Sequence, residues 1–130
     1  LLRLLDRADV VIENYRKGTM EKLGLGYETL KARNPGLIYC EISGFGRTGP
    51  YAERGGFDLI AQGMGGIMHV TGEPDGPPTS VGLPICDLGT GMWGAQGVLA
   101  ALYERERTGK GNGDDLGGLV LQLAAGLRFD

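Results

Sequence analysis

Histidine, cysteine and excess positive charge are all scarce in this chain. One histidine and two cysteines occur in 130 residues, and aromatic side chains make up 7% of them. Cys40 and Cys86 lie too far apart for a Cys-x-x-Cys pair, and His69 alone completes no ligand set, so the sequence carries no metal-ligand spacing. Two free thiols fit a reducing cytoplasm better than a disulfide framework. His69 follows the apolar pair Ile67-Met68 and reads as structural rather than catalytic. Thirteen basic against sixteen acidic side chains leave a net charge of −3, the wrong sign for a general nucleic-acid binder. A local basic patch for a small anion remains open. No apolar run approaches the roughly 20 residues that cross a bilayer. Residues Leu1 to Asp9 lack the apolar segment and cleavage site of a signal peptide. The chain starts mid-pattern in an amphipathic helix, which suggests a piece of something longer.

Glycine is what the chain has in excess: 25 residues, about a fifth, against a usual share of about 7%. With 42% hydrophobic and 22% charged residues, the composition is that of a folded globule with many tight corners and close backbone approaches. The β-branched run Ala8 to Ile12 reads as a buried strand, and Leu37 to Ile42 as a second. Between them, Thr19 is placed to cap a short helix ending at Gly24, and a second helix spans Tyr27 to Arg33. Strand, helices and strand at this spacing form a βαβ unit, hence a parallel sheet. Ser43 to Phe57 reads as a long glycine-rich loop. Asp58 is placed to cap a helix from Leu59 to about Met68. The best helix runs from about Pro84 to Arg107, with Leu88, Met92, Ala95, Val98, Leu99 and Leu102 as its apolar face, and stops at Gly109. Core packing is the expectation for Met92 and Trp93. Leu116 to Leu127 reads as a last apolar helix interrupted by glycines.

Gly44-Phe45-Gly46-Arg47-Thr48-Gly49 matches G-x-G-x-x-G after a strand. A dinucleotide site also needs a helix opening from that loop, then a second strand with an acidic residue about 20 positions on. Pro50 to Gly56 has no helical period, so the motif reads as a loop and no nicotinamide or flavin site is expected.

Asp87 is the strongest chemical candidate. It stands in the first turn of the long helix, in Pro84-Ile85-Cys86-Asp87-Leu88-Gly89-Thr90-Gly91. Unpaired N–H groups and the positive end of the helix dipole favour its ionised form there. An ionised, poorly covered carboxylate is a competent nucleophile towards an activated carbonyl. Gly89, Gly91 and Gly94 strip side chains from the same end. Acidic residues also occupy first turns simply as caps, and spacing alone leaves both readings open.

From about Ala8 to Gly111 the chain resembles the family III CoA-transferases. The matching segments are Ala8-Asp9-Val10-Val11-Ile12-Glu13-Asn14-Tyr15-Arg16, Leu37-Ile38-Tyr39 with Ser43-Gly44-Phe45-Gly46, Gly56-Phe57-Asp58-Leu59-Ile60-Ala61-Gln62, and Asp87 with the glycine-rich helix to Thr108-Gly109-Lys110-Gly111. The resemblance implies an α/β fold, a Rossmann-like parallel sheet from the family's large domain. Residues 1–130 then form a single α/β domain that is incomplete relative to the family. It implies coenzyme A, as acyl-CoA, for substrate and a carboxylic acid as acceptor, with no metal, nucleic acid or membrane. It also implies a cytoplasmic homodimer. In the family's transferases an aspartate attacks the acyl-CoA thioester, and the position matching it is Asp87. Asp58 matches an acidic position that helps orient the site. The CoA-contacting segment maps onto Asn14, Tyr15 and Arg16, with Lys17 and Lys22 as further phosphate candidates. For Lys17 and Lys22 plain solvated charge is an equal reading.

Two departures qualify the resemblance. The racemase branch uses a histidine where this chain has Phe57, which disfavours acyl-CoA racemisation because phenylalanine moves no proton. After Gly111 the family continues into a strand and helix, whereas this chain reads Asn112-Gly113-Asp114-Asp115-Leu116-Gly117-Gly118. Family members are much longer chains, so the main alternative to CoA transfer is a catalytically inactive, truncated module that binds CoA or self-associates.

Overall fold

The computed structural model describes residues 1–111 and the strand at 113–115. Among the described residues three parallel strands form one sheet in the order β1-β2-β3: β1 (Val10–Glu13), β2 (Ile38–Glu41) and β3 (Gly113–Asp115). The first crossover carries α2 (Thr19–Lys22) and α3 (Tyr27–Arg33). The second carries α4 (Asp58–Met64), a 3₁₀ turn at Ile67–His69, and α5 (Ile85–Thr108). A short α1 (Leu2–Leu5) precedes β1. Val11 pairs with Tyr39, Ile12 with Cys40 and Glu13 with Glu41, which fixes the faces of the sheet, because successive side chains alternate.

On one face Val11 and Tyr39 join Met20, Leu30 and Leu37 in the core, with Leu5, Ala8, Leu25 and Tyr27 packed at its margin. Tyr27 meets Tyr39 edge to face, ring centroids 5.8 Å apart, a favoured aromatic geometry. The helix-forming pattern of α3 serves this packing: Leu30 is its buried position. The same face ends in charge. Glu13 and Glu41 are buried at the strand ends, Glu13 accepts from the Tyr15 N–H at 2.7 Å, and Arg47 pairs with Glu41 at 3.0 Å and with Glu21. Burial pushes the Glu13 carboxyl above its ordinary range.

Helix α5 crosses the opposite face at Gly94, where a Cβ would lie 3.6 Å from Ile42 Cδ1 and 3.9 Å from Cys40 Sγ. Its buried positions are Cys86, Gly94 and Ala101, a stripe of small residues that brings helix and sheet close. This corrects the expected apolar face. Leu88, Met92 and Leu99 are exposed, as is Trp93, so neither Met92 nor Trp93 is core. Small side chains won because the helix approaches β2 closely, and only they fit under it.

Three other expectations change. Thr19 lies within α2 rather than capping it; Gly18, at φ 80°, takes the cap position. The helix beginning at Asp58 ends at Met64 instead of Met68, and the chain tightens into the 3₁₀ turn after Gly66 at φ 79°. Residues Gly113–Asp115, where the sequence departs from a strand pattern, do form a strand. They pair with Tyr39, Cys40 and Glu41, because the free edge of β2 offers backbone partners whatever the side chains are. The apolar stretch Leu116 to Leu127 lies outside the described residues. Cys40 and Cys86 are both buried, and no disulfide joins them.

Candidate active site

The strand ends, the 43–57 loop and the start of α5 meet at one end of the sheet. Open α/β sheets place their ligand crevices at this carboxyl end. Asn14, just past β1, donates to the Ile42 carbonyl just past β2 at 2.7 Å and ties the two strand ends together. The loop leaves β2 at Ser43, whose hydroxyl accepts from the Gly46 N–H at 3.1 Å. It returns at Gly56 directly against Gly44. A Cβ on Gly44 would fall 2.4 Å from the Gly56 Cα, and the reverse substitution is equally tight. Only two glycines permit this crossing. No helix opens from 44–49, so the G-x-G-x-x-G match is a loop, as its continuation suggests.

Two cavities flank the glycine crossing. The larger, about 470 Å³, is lined among others by Cys86, Asp87, Thr90, Gly91 and Ala61. The smaller, about 420 Å³, is lined by Tyr15, Arg16, Lys17, Glu53 and Arg54 among others. Asn14, Ser43, Gly44, Gly56 and Phe57 line both. Phe57, 71% exposed, stands at their junction. Of the charges in the smaller cavity, Lys17 pairs with Glu53 at 2.7 Å, and the Arg54 guanidinium lies 4.5 Å from the Tyr51 ring centroid.

Asp87 lines the larger cavity and is exposed. Its helix start is held by Asp58, 29 residues earlier. Asp58 Oδ1 accepts from the Cys86 N–H at 2.8 Å and from the Asp87 N–H at 3.3 Å, and the Ile85 N–H is bound by the Leu83 carbonyl at 2.8 Å. Asp58 therefore caps α5 rather than α4, whose own cap position is Phe57 with no side-chain cap bond. The three amides of Ile85, Cys86 and Asp87, expected to stand free at this helix start, are thus already taken. Within α5, Thr90 Oγ1 donates to the Cys86 carbonyl at 2.7 Å. Burial pushes the Cys86 thiol up, and the carboxylates of Asp58 and Asp87 add to the effect.

Asp58 is itself gripped from behind. Gln62 Nε2 donates to Asp58 Oδ2 and to the Leu83 carbonyl at 3.2 Å, while Gln62 Oε1 accepts from the Val81 N–H at 2.9 Å. Gln62 is 0% exposed. Its role escaped sequence reasoning, although Asp58 and Gln62 stand at i and i+4 of one helix, a spacing that brings such side chains together.

The site residues named from sequence are thus mostly convergent. Asp87 and Asp58 meet at the start of α5, and Asn14, Tyr15 and Arg16 line the smaller cavity. Lys22 does not join them: it is exposed on α2 and lines neither cavity. His69 is exposed on the 3₁₀ turn, away from both cavity linings. Among the described residues no group of three His, Cys, Asp or Glu side chains is placed to hold a metal ion, and no helix is long and apolar enough to cross a membrane.

A parallel α/β sheet with a glycine-lined crevice at its carboxyl end, closed by a helix start carrying a carboxylate, defines the class of protein. Comparison with known families gives the group: residues 1–119 match the model of CoA-transferase family III, and the chain belongs to that family. It is 56% identical over 114 residues to a succinyl-CoA:mesaconate CoA-transferase of Haloarcula hispanica, covering 85% of this chain and 29% of that one. It is 48% identical over 122 residues to a succinate–glutarate CoA-transferase of Agrobacterium fabrum, covering 94% and 30%. A crystal structure of a CAIB/BAIF family protein from Brucella suis superposes with a TM-score of 0.91 at 51% identity, over 97% of this chain and 33% of that one. The chain therefore spans about three-tenths of the length of the curated relatives it matches.

Proposed function

We propose that this chain forms the nucleophile-bearing part of a CoA-transferase that moves CoA from an acyl-CoA to a carboxylic acid. One observation carries the reading: the two cavities share five lining residues, with Asp87 in one and Arg16 in the other. An elongated thioester with an anionic head fits that division, its phosphates towards Arg16 and its reacting carbonyl towards Asp87. Tyr15, 58% exposed, offers a face for the nucleobase.

In this reading the Asp87 carboxylate attacks the thioester carbonyl, and CoA leaves as its thiolate, giving a mixed anhydride. The thiolate then attacks the aspartyl carbonyl, releasing the donor carboxylate and leaving an aspartyl-CoA thioester. The acceptor carboxylate displaces CoA to form a second anhydride. Return of the thiolate to the acceptor's carbonyl regenerates Asp87 and releases the new acyl-CoA. Every step is acyl transfer between carboxylate and thiolate, which are already in their reactive forms, so no proton donor is needed at Phe57. That favours transfer over racemisation. Asp58 holds the helix start that presents Asp87.

The test is direct. The chain is incubated with succinyl-CoA, quenched with hydroxylamine, and mapped by mass spectrometry. Modification at Asp87 that vanishes in Asp87→Ala supports the reading. An unmodified Asp87, with parent and variant indistinguishable, removes it and leaves the alternative of a CoA-binding or self-associating module, which a CoA titration and sedimentation then decide.

A further inference from the structure

We propose that Gln62 is a positioning residue for Asp87, acting through Asp58. The inference rests on the reading of Asp87 as nucleophile and adds a residue that touches neither cavity. Gln62 is fully enclosed behind the site, 0% exposed, and each end of its amide has a partner. Nε2 holds Asp58 Oδ2 and the Leu83 carbonyl, and Oε1 holds the Val81 N–H. These contacts fix two things at once. They orient the carboxylate whose other oxygen binds the Cys86 and Asp87 amides, and they anchor the 81–83 segment that delivers the chain into α5.

The chemistry of the donors makes the arrangement directional. A carboxylate only accepts, so Asp58 Oδ2 needs a donor when drawn in beside a buried group, and an amide is a neutral side chain whose nitrogen donates there while its oxygen accepts elsewhere. A buried amide stripped of one partner leaves the other unsatisfied. Replacing Gln62 with an apolar residue of similar length therefore frees Asp58 Oδ2, the Val81 N–H and the Leu83 carbonyl together. The first turn of α5 then loses the orientation of its cap while keeping its sequence. Catalytic geometry is lost by shifts of about an ångström, so the effect falls on the rate of attack by Asp87 rather than on CoA binding.

The experiment compares the parent chain with Gln62→Met, Gln62→Glu and the double variant Asp58→Asn with Gln62→Glu. Two quantities are read: the rate of Asp87 labelling by succinyl-CoA and the dissociation constant for CoA. Circular dichroism confirms that each variant is folded. Gln62→Met and Gln62→Glu are expected to label at least ~10-fold more slowly, with CoA affinity within about 2-fold of the parent. The double variant reverses the hydrogen bond, with an amide at position 58 donating to a carboxylate at position 62. It is expected to recover part of the lost rate; an effect of Gln62 that does not pass through Asp58 predicts no such recovery. Hydrogen exchange gives a second readout, with the Cys86 and Asp87 amides exchanging faster in Gln62→Met while those of the last turns of α5 stay unchanged. A parent that labels, with folded Gln62 variants labelling as fast and the two amides equally protected, overturns the role of Gln62 alone. A parent that never labels at Asp87 overturns the nucleophile and this role together.

Discussion

Gly44 and Gly56 touch backbone to backbone, so that a methyl group on either would lie 2.4 Å from the other's Cα. The contact closes the 43–57 loop at its neck and forms the wall common to both cavities. The obstacle is main chain, not a flexible side chain, so it cannot swing aside. Gly44→Ala or Gly56→Ala should cost about 1–3 kcal/mol, the usual range for overpacking, and weaken CoA binding at least ~10-fold, each of those factors being about 1.4 kcal/mol. Gly82→Ala, at a position with open space around it, is the control. Urea unfolding and calorimetric titration read both effects; a Gly44→Ala chain of parental stability and affinity would show that the neck opens freely.

Arg16 is predicted to dominate the anionic end of the site. In the smaller cavity Lys17 is engaged by Glu53 and Arg54 by Tyr51, whereas Lys22 lies outside it. Arg16→Ala should weaken CoA binding by about 1.5–3 kcal/mol, the worth of a charged hydrogen bond. Lys22→Ala should leave it unchanged. Titration calorimetry at low salt measures both, and equal losses from the two substitutions would remove the assignment.

Two glycines of α5 should respond in opposite directions. Gly89 has open space where a Cβ would go, so Gly89→Ala gains helix propensity and should stabilise the chain by about 0.5–1 kcal/mol. Gly109 closes the helix at φ 70°, and Gly109→Ala should cost about 1 kcal/mol, because a side chain resists the left-handed conformation. Thermal midpoints of the two variants should move apart; movement in the same direction would contradict the cap.

Glu13 sets a pH dependence. Its folded carboxyl titrates above its ordinary range, because burial disfavours the charged form. Its contribution to stability is therefore fully present below the ordinary carboxylate range and is lost as pH rises through the raised folded value. Glu13→Gln removes the charge and keeps an acceptor for the Tyr15 N–H. The variant should be more stable than the parent at about pH 7 and nearly equal to it at about pH 4, near the ordinary glutamate value. Denaturant titrations at the two pH values check this, and an advantage at the acidic value only would invert the sign.

The order of elements was written locally. Apolar runs marked β1 and β2, the Tyr27–Arg33 periodicity marked α3, and Gly109 marked the end of α5, because each depends on neighbours a few residues away. The place of Asp87 in the first turn of α5 was legible for the same reason, whereas a nucleophile's role for it came from the family resemblance and not from its spacing. What Asp58 does was not legible, since the two amides it caps lie 28 and 29 residues along the chain and local sequence makes a cap for its own helix look equally good. The buried face of α5 was hidden too. Leucine and methionine outrank glycine and alanine in any hydrophobic pattern, yet the smaller residues face the sheet because close approach to β2 admits nothing larger. Strand β3 went unseen because an open strand edge binds backbone and is indifferent to side-chain pattern. Local propensity decided the helices and the first two strands; contacts between distant segments, which alone satisfy buried polar groups and exclude bulky side chains, decided the third strand, how the elements face one another and how they form the site.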